Sequence, residues 1–508
     1  MSEVATVSGI RKLLAAYLPA GSLRARLASG VFWVAVGTAV AQALGMVVGI
    51  LKARILAPTA FGEFGMIFST VGMFGVFAGF GLGLTANKHV AQYRRTDPQK
   101  AGRIIGLSSL VAIASGGCLS VFVFVLAPWL AANVIDGPHL ATKLQMGAGL
   151  LFFNALTGAA GGALAGFEAF RTRAGIAALT GILGFPIVIA GVWYWGLGGA
   201  VVSSVVVSAM TWFLTTVALK RVCLREGVPV SYRGLRSELP LLWSFSVPAF
   251  LAAVVYTPTL WLANTMLVNQ PNGYAELGVL SAALQWQRLL WFVPTSLLAV
   301  TLPVLSSSLS DSSGPAEHSR AFDFTHSAMV MAVIPVGALL MFIAAPVMRI
   351  YGHEFLPGQT VLVGAVSSVM IMSLGAVLGA EIQARGRMWL GLAINGLYAT
   401  IMLALVWVFV SSYGAKALAF GSACSYGVTT IVVFALLWRV LPAGMPARVM
   451  SGVGVTVGCV AVRLALTDAP PLLAPVVALT AALMTYMFVT GPDFRGEARR
   501  MLGVPFPR

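Results

Sequence analysis

Phe61-Gly62-Glu63-Phe64-Gly65 is answered 213 residues later by Tyr274-Ala275-Glu276-Leu277-Gly278, with an aromatic, a small residue, a glutamate, an apolar residue and a glycine in the same order. The same offset pairs Gly166 and Glu168 with Gly379 and Glu381. With one residue inserted, the Arg171-x-Arg173 that follows pairs with Arg385-x-Arg387. A fixed offset between matched patterns is the mark of a duplicated unit. The chain around these matches has 508 residues, 58% hydrophobic and only 9% charged, against roughly a quarter charged in a soluble domain. That composition excludes a water-soluble fold.

A helix crossing the hydrocarbon core needs ~20 mostly apolar residues. Such runs lie near 29-53, 61-84, 104-127, 147-166, 175-193, 197-219 and 240-265, then 277-305, 326-350, 358-381, 388-411, 415-438, 448-467 and 471-490. The first matched pattern precedes the second span of each half, and the second follows the fourth, so the repeating unit is six helices. An even number preserves orientation. The halves are therefore expected to be parallel repeats about an axis along the membrane normal, with a substrate site between them at mid-depth. The expected architecture is an all-α polytopic membrane protein of about 14 transmembrane helices. It divides into a cytosolic lead at 1-28, an N-lobe at 29-238, a C-lobe at 239-445, two further helices at 446-490 and a cytosolic tail at 491-508.

The net charge of +16 invites a nucleic-acid or anionic-lipid partner. Its distribution argues for topology instead. With both termini cytoplasmic, most of the 32 Lys and Arg fall on the inner side, as in Lys88, Arg94, Arg95, Lys100, Arg103 and in Lys220, Arg221, Arg225, Arg233, Arg236. No nucleic-acid partner is expected. The first 28 residues carry Arg11, Lys12, Arg24 and Arg26 around an interrupted apolar run without the features of a signal peptide. Cys118, Cys223, Cys424 and Cys459 imply neither a disulfide framework nor a metal site. No phosphate-binding Gly-x-x-x-x-Gly-Lys-Ser/Thr loop, no external carboxylate pair and no metal-spaced histidines occur, so no catalytic residue, cofactor or metal is expected.

Arg288 lies about 11 residues inside the eighth span, roughly 16 Å deep at ~1.5 Å per residue. A charge there costs ~2.5 to 3.5 kcal/mol on insertion scales, and it usually faces a bundle interior or a wet cavity. Ser281, Gln285, Arg288 and Thr295 fall on one helical face. Thr38, Gln42, Gly45, Gly49 and Lys52 make a similar stripe in the first span, although Lys52 and Arg54 also sit where basic side chains snorkel outward. Arg288, Lys52, Arg54, Gln42, Gln285 and Asn264 are the cavity candidates, with an interhelical hydrogen bond as the alternative for Asn264. Glu63 and Glu276 open their spans, where a carboxylate meets free backbone donors, and a coupling role is the rival reading. Glu168 and Glu381 fall at inner helix ends and are candidate gate latches with Arg171 and Arg385.

These residues resemble the polysaccharide transporter family, the O-antigen and exopolysaccharide flippases of the MOP superfamily. The resemblance rests on Ser29-Gly30-Val31-Phe32-Trp33, on Ala53-Arg54-Ile55-Leu56-Ala57-Pro58-Thr59-Ala60 running into the Phe61 to Gly65 motif, and on Ser246-Val247-Pro248-Ala249. Ala275-Glu276-Leu277-Gly278 and Ile382-Gln383-Ala384-Arg385-Gly386-Arg387 add to it. It implies two six-helix lobes in a V with two trailing helices in the bacterial inner membrane. It further implies a cationic cavity opening alternately to each side, which carries an undecaprenyl-diphosphate-linked glycan outward for polymerisation. The diphosphate would pair with Arg288, Lys52 and Arg54, and polymerase or export machinery would be a partner. A drug or toxin extruder and a lipid II flippase of the same superfamily are the rival readings. An integral-membrane glycosyltransferase is the rival from another class, but it would need a substantial catalytic loop.

Overall fold

A computed structural model describes residues 23-79, 81-238, 247-310, 314-438, 441, 445-465 and 474-490. The expected lead up to residue 22, the tail at 491-508 and Ser246 lie outside the described residues. All regular structure among them is helical. The N-lobe is built from α1 (Leu23–Gly79), α2 (Leu82–Tyr93), α3 (Pro98–Asn133), α4 (Ala141–Gly166) and α5 (Phe170–Arg225). The C-lobe follows with α6 (Val247–Val268), α7 (Gly273–Ser310), α8 (Gly314–Phe342), α9 (Gln359–Ala384), α10 (Met388–Tyr413) and α11 (Ala415–Leu437). Then α12 (Met445–Ala465) and α13 (Ala474–Met484) pack on α8 and α9.

A helix or helix arm overlaps each expected span. Among the described residues, nine stretches are long and apolar enough to cross a membrane by length and composition, and Val254–Val268 and Pro475–Val489 are shorter apolar helices. Two of the nine fold back on themselves. The first turns at Ala57 (φ 59°, ψ 171°), because Pro58 bars its predecessor from helical geometry. The second turns at Gly196 (φ 53°, ψ −132°), a conformation that glycine alone adopts cheaply.

The duplication is visible in the backbone. Helix α4 begins at 141 and ends at 166, and α9 begins at 359 and ends at 384. The next helices open at 170 and 388, and Gly196 has its double in Gly414 (φ 52°, ψ −130°). All these pairs are 218 apart, five more than the offset of the glutamate motif. Part of the drift is a 3-10 turn of three residues, Pro138–Leu140, that becomes six, His353–Gly358, in the C-lobe. The pairing of Glu168 with Glu381 is thereby corrected. Glu168 stands in a turn with φ 57°, where its counterpart is Gly386 at φ 69°. Glu381 lies within α9, 2% exposed, at the place that Ala163 holds in the N-lobe.

Each lobe has its own packing. Helix α9 is buried on every side and forms the centre of the C-lobe, as its uniformly apolar sequence requires. Two arginines of α12 fasten it to α8: Arg448 pairs with Asp323 near one end, and Arg463 donates to the Met341 carbonyl (2.9 Å) near the other. Between lobes the contact belongs mainly to α1 against α6 and α7. Their backbones nearly touch. A Cβ on Gly62 would lie 1.8 Å from the Tyr274 carbonyl, and one on Gly278 would lie 2.0 Å from that of Pro58. In lipid, where apolar surface alone drives no association, small residues at a crossing let van der Waals contact and hydrogen bonds hold helices together.

Candidate functional site

The α1–α7 contact loosens with distance from this crossing, and the glycines of α1 record where. Gly65 abuts the Ser281 hydroxyl and Gly49 abuts the Gln285 amide, whereas a Cβ on Gly45, one turn beyond Gly49, would meet nothing within 4 Å. The first arm of α1 and α7 have parted there. Three hydrogen bonds join the lobes at the turns beside Ala57, and two more join the second arm of α1 to α6, about as far from Ala57 as Gly45: Trp261 Nε1 to Thr70 Oγ1 (3.0 Å) and Asn264 Nδ2 to Ser69 Oγ (2.9 Å). The first arm of α1 and α7 thus make a wedge, closed at the Ala57 end and widening toward the end that holds Glu381.

Two cations sit at its apex. Lys52, on α1, places its ammonium 4.1 Å from the centre of the Phe64 ring, a cation–π contact. Arg288, one turn past Gln285 on the same face of α7, is exposed, with Nε 3.3 Å from the Leu284 carbonyl. Lys52 and Arg288 are close enough to repel one another. Neither has a carboxylate partner among the described residues. Tyr351, fully buried, closes the group from the turn after the short helix Ala344–Arg349. Its hydroxyl donates to Gln285 Oε1 at 3.5 Å, and it lies in electrostatic contact with Arg288. Two like charges side by side repel, and an anion between them, with phenol and amide groups at hand, would relieve that repulsion.

The other predicted residues are dispersed. Gln42 is exposed on α1, and the side chain of Thr38 lies outside the described residues. Arg54 turns away from Lys52 and donates to the Ile350 carbonyl at 2.7 Å. Asn264 makes the interlobe bond already given. Glu63 meets His139 Nε2 at 2.6 Å, and Glu276 accepts from the Ala415 amide at 3.1 Å, capping α11 from the first turn of α7. At the opposite end Glu168 pairs with Arg94, while Arg171 is exposed. Glu381 joins Arg385 (2.6 Å) and His318 (3.0 Å). Sequence reasoning missed Tyr351, since a tyrosine after a span reads as an interfacial anchor. It also missed the Asp323–Arg448 pair, whose members fall at expected span ends where charge is ordinary.

Two helical lobes built on an internal repeat, with an appended helix pair and nine membrane-length apolar stretches among the described residues, define an all-α multi-span membrane protein. The chain belongs to the polysaccharide biosynthesis protein family, whose model matches residues 27–309. It is 26% identical over 446 residues to the lipid III flippase of Escherichia coli, covering 81% of this chain and 99% of that one. It is 23% identical over 393 residues to the EPS I polysaccharide export inner membrane protein EpsE of Ralstonia nicotianae, covering 75% and 86%. Among solved structures, the inward closed conformation of the lipid II flippase MurJ superposes with a TM-score of 0.70 at 13% identity over 92% of this chain and 99% of that one. An inward-facing MATE family multidrug transporter follows with 0.62 at 16% identity over 80% and 98%.

Proposed function

We propose that this chain is a flippase that carries a lipid-linked oligosaccharide from the cytoplasmic to the outer leaflet by alternating access, for cell-surface polysaccharide synthesis. The observation that carries the reading is the Lys52–Arg288 pair, two neighbouring cations with no carboxylate partner among the described residues, where α1 and α7 diverge. An undecaprenyl diphosphate supplies the missing negative charge, and its contacts gain strength where water is excluded. The glycan occupies the wedge while the lipid tail slides in the bilayer between the lobes. The Ala57 end faces outward and both termini lie in the cytoplasm, so the wedge described here opens inward to the compartment where the substrate is made. Gln285 and Tyr351 position the head group, and Gln42 lines the inner approach. The chain acts as a transporter rather than an enzyme, and polymerase or export machinery takes its product. The names of the Escherichia coli and Ralstonia relatives support both the substrate class and the membrane.

The test replaces Arg288 by Ala and by Lys in a strain that depends on this gene for surface polysaccharide, with protein level checked by immunoblot. Loss of polysaccharide in Arg288→Ala at normal protein level, accumulation of lipid-linked units on the inner leaflet and partial rescue by Arg288→Lys support the reading. Normal polysaccharide from a stable Arg288→Ala variant removes the role given to Arg288. Unaltered polysaccharide after deletion of the whole gene would instead favour a drug extruder.

A further inference from the structure

The glutamate motif that exposes the duplication also marks where the lobes grip each other, and each lobe reaches across to the other. On the N-lobe side, Arg54 reaches across to the carbonyl of Ile350, the residue that ends the short helix Ala344–Arg349. On the C-lobe side, Asn269 Nδ2 reaches across to the Val134 carbonyl (3.1 Å), at the end of α3. Donors Arg54 and Asn269 are 215 residues apart and acceptors Val134 and Ile350 are 216 apart, near but not at the motif's offset of 213. The first residues of the motif behave alike. Phe61 packs edge-on against Phe355 of the C-lobe 3-10 turn, with centroids 6.2 Å apart. Its counterpart Tyr274 sits against Gly137, just before the N-lobe 3-10 turn, and donates to the Ile135 carbonyl at 2.6 Å. The last carbonyls of a helix have no partner within it. Each lobe therefore caps a helix end of the other.

We propose that these reciprocal caps are the gate at the Ala57 end, holding it shut while the wedge is open at the other end, and that Asn269 and Tyr274 are the residues that set its strength. The inference rests on the alternating-access reading. A cap of this kind suits a gate, because when the lobes separate both the carbonyls and the polar side chains meet water instead. Breaking them therefore loses only the small net free energy of a hydrogen bond.

The test is a labelling rate that needs no substrate, so its failure and the failure of the flippase reading are separable. Cys118 and Cys424, the exposed native cysteines, are replaced by Ser. Thr295→Cys then places a thiol on the wedge-facing side of α7, beyond Arg288. Ser412→Cys, exposed at the Ala57 end, identifies whether spheroplasts or inverted vesicles present that end to a membrane-impermeant maleimide. From that side Thr295→Cys labels slowly in the unaltered gate. In the Asn269→Ala/Tyr274→Phe double variant its rate rises about tenfold, as two net hydrogen bonds require. If the double variant does not accumulate, Tyr274→Phe alone, which removes one oxygen and keeps the ring, gives about a threefold rise. A rate within twofold of the unaltered gate overturns the proposal. So does labelling of the unaltered Thr295→Cys protein as fast as Ser412→Cys.

Discussion

Replacing Gly62 by Ala pushes the two lobes apart from the inside. The added Cβ lies 1.8 Å from the Tyr274 carbonyl oxygen and 2.7 Å from the Gly278 amide nitrogen. A normal carbon–oxygen contact is about 1.5 Å longer than the first of these, and both neighbours are backbone atoms that no rotamer change can move. Overpacking of this kind costs about 1 to 3 kcal/mol. Because the clash exists only while the Ala57 end is closed, the whole penalty falls on that state and shifts the equilibrium toward its opening by roughly 5- to 150-fold. The assay is maleimide labelling of Thr295→Cys from the Ala57 side, with thermal unfolding in detergent micelles as a second readout. Two neighbouring glycines grade the effect. Gly49→Ala meets the end of the flexible Gln285 amide at 2.1 Å and has a smaller effect. Gly45→Ala meets nothing and gains the ~0.5 to 1 kcal/mol by which Ala exceeds Gly in a helix. Equal labelling and melting for Gly62→Ala and Gly45→Ala would refute the reasoning.

Other substitutions probe the remaining parts. Asp323→Ala leaves the buried Arg448 guanidinium without its partner and lowers stability by about 3 to 5 kcal/mol. The Asp323→Leu/Arg448→Met pair recovers most of that loss in thermal unfolding. Gly414→Ala forces a side chain into a conformation close to glycine-only and sets its Cβ 3.0 Å from Glu276 Oε2, so it lowers the melting midpoint more than Gly196→Ala, which meets open space at the same backbone angles. Trp261→Phe removes the donor to the buried Thr70 hydroxyl and costs about 1 to 3 kcal/mol.

Much of this molecule can be read from its residues. Long apolar runs specify helices because lipid offers backbone groups no other partner, and the repeat of the Phe61 motif marks the duplicated unit. Arg288, costly to bury in an apolar span and sharing a face with Ser281, Gln285 and Thr295, reads as a cavity residue. Register is harder. The match of Glu168 to Glu381 fails because small and apolar residues recur so often that a five-residue slip still yields plausible pairs, and only helix ends and glycine turns fix the true offset of 218. Long-range partners are harder still. Arg54 and Lys52 sit two residues apart, yet the helix turns ~200° between them. One therefore caps the opposite lobe while the other lies on Phe64. Tyr351 reaches the site from a turn whose path no periodicity describes.

In the flippase reading, the diphosphate of a lipid-linked glycan passes the Lys52–Arg288 apex. That passage is tested most directly by reconstituting the purified protein in liposomes carrying an undecaprenyl-diphosphate oligosaccharide and following, with an impermeant glycosidase, how much glycan becomes accessible from the far leaflet. The account predicts movement with the native chain and at least a tenfold lower rate in Lys52→Ala/Arg288→Ala, with both proteins folded and equally incorporated. Equal rates for the two, or a native rate no faster than protein-free liposomes, would contradict it.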